Sequence, residues 1–517
     1  MGFQKRLARI SLGWCLLAAL MSSLAADAPA QVTATINPSQ VLVPDFEGWG
    51  TSLCWWAKVC GGYSNRDEYA ALAFTSLKLN IVRYNIGGGE NPGLTNTIAF
   101  RAQISGFEPQ PGVWDWSADA NQRWMLKRAV ALGANRVVAF ANSPPWWMTV
   151  SGSVTGSADG SGNNLKADCE TAFAEYLATV IRQLTALDGV HFDLAAPLNE
   201  PTANWWKLGH WQEGCHVSAD QQARLINALR RALDAQNLST GIDASEDNDE
   251  RSAVNSLNAY GPAESNVTVI ATHSYGANDP AGIRRLAARW HKPAWVSEYG
   301  DADASGLKMA RRIHDDLTEA RVSAWIYWQV VDSAGGWGFL RNPLNGRGRI
   351  SYSINKKFYV MGQFSKFIRP GFQIIGVNDA HSLAAYQPAS RTLVIVAVND
   401  TEETLNVAYD LGAFAALPAQ AACVRTAPAE NWADIAPLAI TNKTFSATLI
   451  PRSVTTFTLS NAVVSLPGNS EEGGSVGQGH GHGVCADRRA PILPDGIRQV
   501  RGDLHLIRRN ATGPVQQ

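Results

Sequence analysis

Residues 191–201, HFDLAAPLNEP, decide how the chain is read. An apolar run rises to Pro197 and Leu198, then gives way to an amide, a carboxylate and a second proline. Such a run is a buried strand. Asn199 and Glu200 therefore stand where a strand leaves its sheet and enters a loop, the place where α/β folds put chemistry. A matching run at 293–297 is followed by Glu298, Tyr299 and Gly300. Two glutamates, each at the C-terminal end of a buried strand, suit the splitting of a glycosidic bond, in which one carboxyl protonates the leaving oxygen and the other attacks or activates water.

Outward from these stretches, runs of strand length occur at 46–54, 79–86, 136–141, 240–244, 267–272 and 323–328, giving eight with the two above. Apolar residues at helical spacing occupy 65–77, 122–132, 167–187, 219–236, 281–290 and 307–320. Strands alternating with helices predict an eight-stranded (β/α)8 TIM barrel over 46–368, with its active site at the C-terminal strand ends. From 369 to 460 the pattern changes to short alternating strands, such as 393–398 and 453–459, which predicts an attached β-sandwich. Short strands at 32–36 and 41–43, within 32–45, are expected to join that sandwich. The Gly-, Ser- and Pro-rich stretch 461–517 is expected to have no fold. His480, His482 and the tripeptide Arg501-Gly502-Asp503 read as parts of a solvated tail.

Lys5, Arg6 and Arg9, an apolar run at 10–20 and small residues near Ala25 and Ala26 have the layout of a secretory signal peptide over 1–26, with cleavage between 25 and 30. The run is short for a membrane span, so a secreted, extracellular protein without stable membrane insertion is expected, acting as a monomer. Loss of the signal leaves 41 basic against 45 acidic residues, a formal charge of −4. A mildly acidic surface argues against nucleic acid as a partner. Six of the seven cysteines lie beyond the signal, and disulfides are expected, with Cys54–Cys60 and Cys169–Cys215 the leading pairs. No spacing resembles a zinc site, and neither metal nor other cofactor is expected. Sequons at Asn237, Asn266, Asn399, Asn442 and Asn510 suit a glycoprotein.

Of 18 tryptophans, 16 fall between Trp49 and Trp337, several just past strand ends. Indole faces stack on the CH face of a sugar ring, and Trp56, Trp146 and Trp328 are candidates for that contact against the competing reading of core packing. Arg83 and Asn85, on the strand that runs into Gly87-Gly88-Gly89, are placed either to hydrogen-bond a sugar or to hold a glutamate, with a structural ion pair as the alternative. Asn199 is placed to donate to a sugar 2-hydroxyl. His273 and Tyr275 follow the sixth strand, where Tyr275 or Tyr299 can keep a nucleophile ionised. Glu246 and Asp247 are either substrate-binding or part of a solvated acidic loop with Asp249 and Glu250. Glu47 and Asp301 also lie near strand ends and stay outside the catalytic set.

The segments 46–61 (FEGWGTSLCWWAKVCG), 83–88 (RYNIGG), 142–148 (NSPPWWM), 198–201 (LNEP), 272–276 (THSYG) and 297–300 (SEYG) together resemble glycoside hydrolase family 30, most closely its endo-β-1,6-galactanase subgroup. The resemblance runs from 32 to 459. It implies a retaining hydrolase acting on a polysaccharide or oligosaccharide, with Glu200 as acid/base and Glu298 as nucleophile. It also implies that Arg83, Asn199, His273, Tyr275 and Trp328 line the sugar subsite beside the cleaved bond. β-1,6-Glucan, glucosylceramide and xylan are the competing substrates on the same machinery. A secreted sugar-binding protein without activity is the reading from another class.

Overall fold

The computed structural model describes residues 31–346 and 351–465. Eight parallel strands close into a barrel: Gly48–Ser52, Ile81–Asn85, Arg136–Phe140, Leu194–Ala196, Gly241–Asp247, Val269–His273, Ala294–Tyr299 and Ala324–Gln329. The eighth closes on the first, with Gly48 opposite Ala324 and Trp49 opposite Trp325. Period-2 alternation decides which side chains face inward. Along the third strand, Val138 and Phe140 fill the barrel with Ile81, Leu194, Val269 and Ile326, whereas Val137 and Ala139 pack outward beneath the helices with Val82, Ile270 and Val296. The barrel is thus a filled core, and only its ends are open to chemistry.

Local signals set the helix ends. Glu170–Asp188 stops at Gly189, whose φ of 67° is the left-handed C-terminal cap that glycine adopts without a Cβ clash. Pro280–Trp290 starts on Pro280 itself, with the Asp279 carboxylate accepting from the Gly282 N–H. The helix expected over 65–77 is Arg66–Ala70 continuing into a π-turn at Ala71–Ser76. One further helix, Glu250–Asn258, falls where a solvated acidic loop was the competing reading. Asp249 caps it by accepting from Ser252 N–H, while Glu246, Asp247 and Glu250 are buried.

The second domain is built on one nine-stranded sheet. Its far strands return to one core, since Phe445 near one edge meets Phe457, toward the other, at 5.2 Å. Alternation again divides the side chains: Leu393, Ile395 and Ala397 face this core, and Val394, Val396 and Val398 face the core shared with the barrel. A single strand, Gln31–Val43, replaces the two short ones expected and pairs with both Gln373–Val377 and Leu405–Asp410. Structure also runs past 461, where an unfolded tail was expected: Ala462 is buried and Val463–Val464 pairs with Phe414–Ala416. The signal-peptide segment, Cys485, Asn510, the glycine-flanked histidines and the Arg-Gly-Asp tripeptide lie outside the described residues.

The expected disulfides are absent among the described residues, where Cys54, Cys60, Cys169, Cys215 and Cys423 are all free thiols. Cys54 sits in the barrel interior and Cys60 in the layer beneath the helices, so sequence proximity leaves the two thiols in separate cores. Asn399 is equally ill suited to carry a glycan. Its amide is fully buried and donates to the carbonyls of Glu403, Leu449 and Ile450. Asn237 and Asn442 are exposed.

Candidate active site

A cavity of about 590 Å³ opens at the C-terminal ends of the barrel strands. Glu200, Glu298, Asn199, Asn248 and Tyr275 form its polar side, and the indoles of Trp55, Trp205, Trp206, Trp211, Trp328 and Trp337 form much of its wall. Trp55 is the corner of that wall, edge-on to Trp328 at 4.9 Å and to Trp211 at 5.2 Å. Arg101 packs over the faces of Trp55 and Trp211 and is anchored to Asp332 at 2.9 Å, which ties loops from opposite sides of the cavity together.

Glu200 and Glu298 face one space. A carboxylate oxygen of each, with a ring nitrogen of His273, all lie within 4.8 Å of one another. Carboxyls ~5 to 5.5 Å apart belong to displacement through a covalent intermediate, and an inverting pair needs ~6.5 to 9.5 Å for a water between them. Glu298 is held on both oxygens: Arg83 Nη1 donates to Oε2 at 2.7 Å and the Tyr275 hydroxyl donates to Oε1 at 3.0 Å. Asn248 Nδ2 donates to Glu200 Oε1 at 2.7 Å, with His273 Nδ1 at 3.3 Å from the same oxygen. Among the described residues, both of those contacts fall on Oε1 and none on Oε2.

The backbone under Glu200 is strained. Glu200 and Glu246 have φ of 48° and 66°, left-handed values that cost a residue with a Cβ about 1–3 kcal/mol each. Two hydrogen bonds hold the shape: Glu200 N–H to the Glu246 carbonyl at 2.7 Å, and Trp206 Nε1–H to the Glu200 carbonyl at 2.9 Å. The aromatic loop that walls the cavity thus also fixes the carboxylate it covers.

Beneath the pair lies a buried network. Arg83, fully buried, bridges Glu298 and Glu246 at 2.7 Å each, and His273 Nε2 reaches Glu246 at 3.1 Å. Burial alone pushes Glu246 up, but Arg83 and His273 outweigh it and hold its carboxyl at about 2. Burial pulls His273 down, yet Glu298, Glu200 and Glu246 together raise it to about 10, so the ring is an imidazolium with both N–H groups donating. Burial keeps Glu298 above the usual carboxylate range, although His273 and Arg83 pull it back.

A pH dependence of stability follows. Glu246, depressed from an ordinary 4.5, contributes stability above 4.5 that is lost as pH falls through about 2. His273, raised from an ordinary 6.5, contributes fully below 6.5 and loses its contribution as pH rises through about 10. The unfolding midpoint, followed by scanning calorimetry from about pH 3 to about pH 9, is expected to peak between these two ordinary values and to fall on either side. A midpoint that climbs above neutral pH contradicts this charge assignment.

Of the residues singled out by sequence, Glu200, Glu298, Asn199, Tyr275 and Trp328 line the cavity, while Arg83 and His273 support its carboxylates from below. Three do not reach it. Trp56 begins a helix, is fully buried and donates to the Ser52 carbonyl, so its neighbour Trp55 is the one that faces the cavity. Asn85 is fully buried, with its backbone bracketed by Gln122 and its side-chain oxygen accepting from Asn142. Trp146 lies half-buried in the adjoining apolar cluster, its N–H on the Pro109 carbonyl. Glu47 sits at the opposite end of the barrel, accepting from Trp295 and Ser323, and Asp301 pairs with buried Lys357. Sequence reasoning missed Asn248, Arg101, Trp211, Asp332 and Trp337, which lie on connections past the strand ends, Arg101 in a single 3-10 turn and Asp332 in a two-residue strand, all too short to show a period.

A closed parallel barrel whose C-terminal face holds two close carboxylates in an indole-walled cavity defines a glycoside hydrolase. Comparison with known proteins gives the family. The model of O-glycosyl hydrolase family 30 matches residues 31–281. The chain is 33% identical over 472 residues to an endo-beta-1,6-galactanase of Hypocrea rufa, covering 84% of this chain and 96% of that protein. It is 26% identical over 416 residues to an exo-beta-1,6-galactobiohydrolase of Bifidobacterium longum, covering 58% of this chain and 27% of that protein. Among solved structures, a conserved exported protein of Bacteroides fragilis superposes with a TM-score of 0.70 at 21% identity, covering 82% of this chain and 100% of that one. The catalytic domain of the family 30 xylanase C of Talaromyces cellulolyticus does so with a TM-score of 0.64 at 22% identity, covering 83% and 99%. The chain belongs to O-glycosyl hydrolase family 30.

Proposed function

We propose that this hydrolase is a retaining endo-β-1,6-galactanase in which Glu298 is the nucleophile and Glu200 the acid/base. The observation that carries the mechanism is the approach of the two carboxylates within 4.8 Å at one cavity. Glu298, with Arg83 and Tyr275 fixing its oxygens, attacks the anomeric carbon while Glu200 gives its proton to the departing galactosyl oxygen. Glu200 then takes a proton from water, which attacks the same carbon and releases Glu298, so the anomeric configuration is retained. The Asn199 side-chain oxygen accepts from Arg83 at 3.4 Å, which leaves its N–H groups for the sugar 2-hydroxyl.

The substrate assignment draws on the similarity to the Hypocrea rufa galactanase along most of the chain. Its test is product sizing after incubation with β-1,6-galactan, β-1,6-glucan, glucosylceramide and xylan. We expect galactan alone to be cut, first into fragments of intermediate size, as internal cleavage requires. Release of only terminal units, or preferential attack on another glycan, overturns the assignment. The basic and then apolar start of the sequence supports export of the enzyme to where its polymer lies, and N-terminal sequencing of secreted material tests this. The enzyme is also proposed to work as a monomer, a state that light scattering reads directly.

A further inference from the structure

We propose that Asp243 is a neutral carboxylic acid that donates its proton to Glu246 and serves as a positioning residue for both glutamates of the cavity. Asp243 lies on the fifth barrel strand and is 1% exposed. Among the described residues, neither of its oxygens meets a hydrogen-bond donor, and the same holds for Oε1 of Glu246, which is also 1% exposed. Three buried acceptor oxygens without a donor are costly and rare in native folds. The two carboxyls are within hydrogen-bonding reach of each other, so one proton between them gives Glu246 Oε1 its donor and removes a repulsion between two buried charges.

The surroundings place that proton on Asp243. Arg83, from the second strand, puts its Nη2 on Glu246 Oε2 at 2.7 Å, and His273, from the sixth, puts Nε2 on the same oxygen at 3.1 Å. Both cations therefore favour ionised Glu246, and Arg83 is further shared with Glu298 of the seventh strand. Burial first, and the charge of Glu246 second, hold the Asp243 proton well above the usual carboxylate range.

Glu246 then links the site together. With Oε1 tied to Asp243, its Oε2 fixes Arg83, which holds Glu298, and His273, which reaches Glu200. Its backbone carbonyl also holds the Glu200 N–H. Asp243 is not among the residues lining the cavity, so its effect passes through Glu246.

The test compares full-length wild type with Asp243→Asn and Asp243→Ala. It rests on the reading of Glu200 and Glu298 given above. Infrared difference spectra of wild type minus Asp243→Asn at neutral pH need no substrate, and they are expected to show loss of a carboxylic-acid C=O band. Loss of carboxylate bands alone overturns the proposal. An asparagine keeps an N–H for Glu246, so Asp243→Asn is expected to stay within about threefold of wild-type kcat on β-1,6-galactan with an unchanged pH profile. Asp243→Ala, checked for folding by its thermal melt, is expected to lose at least about tenfold in kcat with KM changed by less than about twofold. Asp243→Asn as impaired as a folded Asp243→Ala, or Asp243→Ala as active as wild type, contradicts it. If Asp243→Ala does not fold, the infrared band and the Asp243→Asn profile decide. Failure of the galactanase reading is separate, since wild type itself then leaves galactan uncut.

Discussion

Replacing Glu298 with glutamine is expected to lower kcat on β-1,6-galactan by roughly 10⁴- to 10⁶-fold, the order of loss when a covalent nucleophile is removed from an otherwise intact site. The amide occupies the space of the carboxylate, and its oxygen still accepts from Arg83 or from Tyr275, which now donate to separate oxygens. It has no lone pair basic enough to attack the anomeric carbon. Arg83 retains Glu246 as a counter-charge at 2.7 Å, so the unfolding midpoint should stay near that of wild type. Turnover and thermal melts on the same preparation check both halves. A folded variant with activity within about tenfold of wild type removes Glu298 from the nucleophile role.

Arg83→Met should have the largest effect on stability. The guanidinium is fully buried and lies 2.7 Å from each of two carboxylates, Glu246 and Glu298, with its face over Phe140 at 4.2 Å. Methionine fills part of the volume but removes the guanidinium from both acids and leaves His273 as the one cation beside them among the described residues. Breaking a buried pair by removing one partner costs about 3–5 kcal/mol. Glu298 already sits above the usual carboxylate range through burial, and losing Arg83 removes one of the two cations that pull it back down, which weakens it as a nucleophile. Denaturant unfolding should show the lost stability, and activity should fall with it. Arg83→Lys is expected to recover little, because an ammonium lacks the rigid fork that spans two carboxylates. A Met variant as stable as wild type contradicts the charge network.

Much of this was legible in the sequence because barrels obey two strong rules. Strands of apolar residues alternate with helices of 3.6-residue period, and functional groups sit where strands end. Glu200 and Glu298 satisfy both rules, so they could be picked out before any coordinates. What escaped was set by three-dimensional detail. Trp55 and Trp56 are adjacent, and only the turn out of the first strand decides which indole meets the cavity and which enters the core. The acidic run at 246–250 looks solvated by composition, but the fifth strand extends to Asp247 and carries Glu246 onto Arg83. Arg101, Trp211 and Trp337 come from long loops whose paths no periodicity encodes. Nearby cysteines suggested a bridge, yet Cys54 and Cys60 lie in different cores. A sequon at Asn399 suggested a glycan, but its amide is bonded to three carbonyls.

The measurement that bears most directly on the paired glutamates is time-resolved proton NMR of the anomeric signals during the first minutes of β-1,6-galactan cleavage. Attack by Glu298 followed by water activated at Glu200 requires new reducing ends to appear first as the β-anomer, with the α-anomer growing only at the rate of mutarotation. Reducing ends that appear first as α contradict double displacement at this pair of carboxylates.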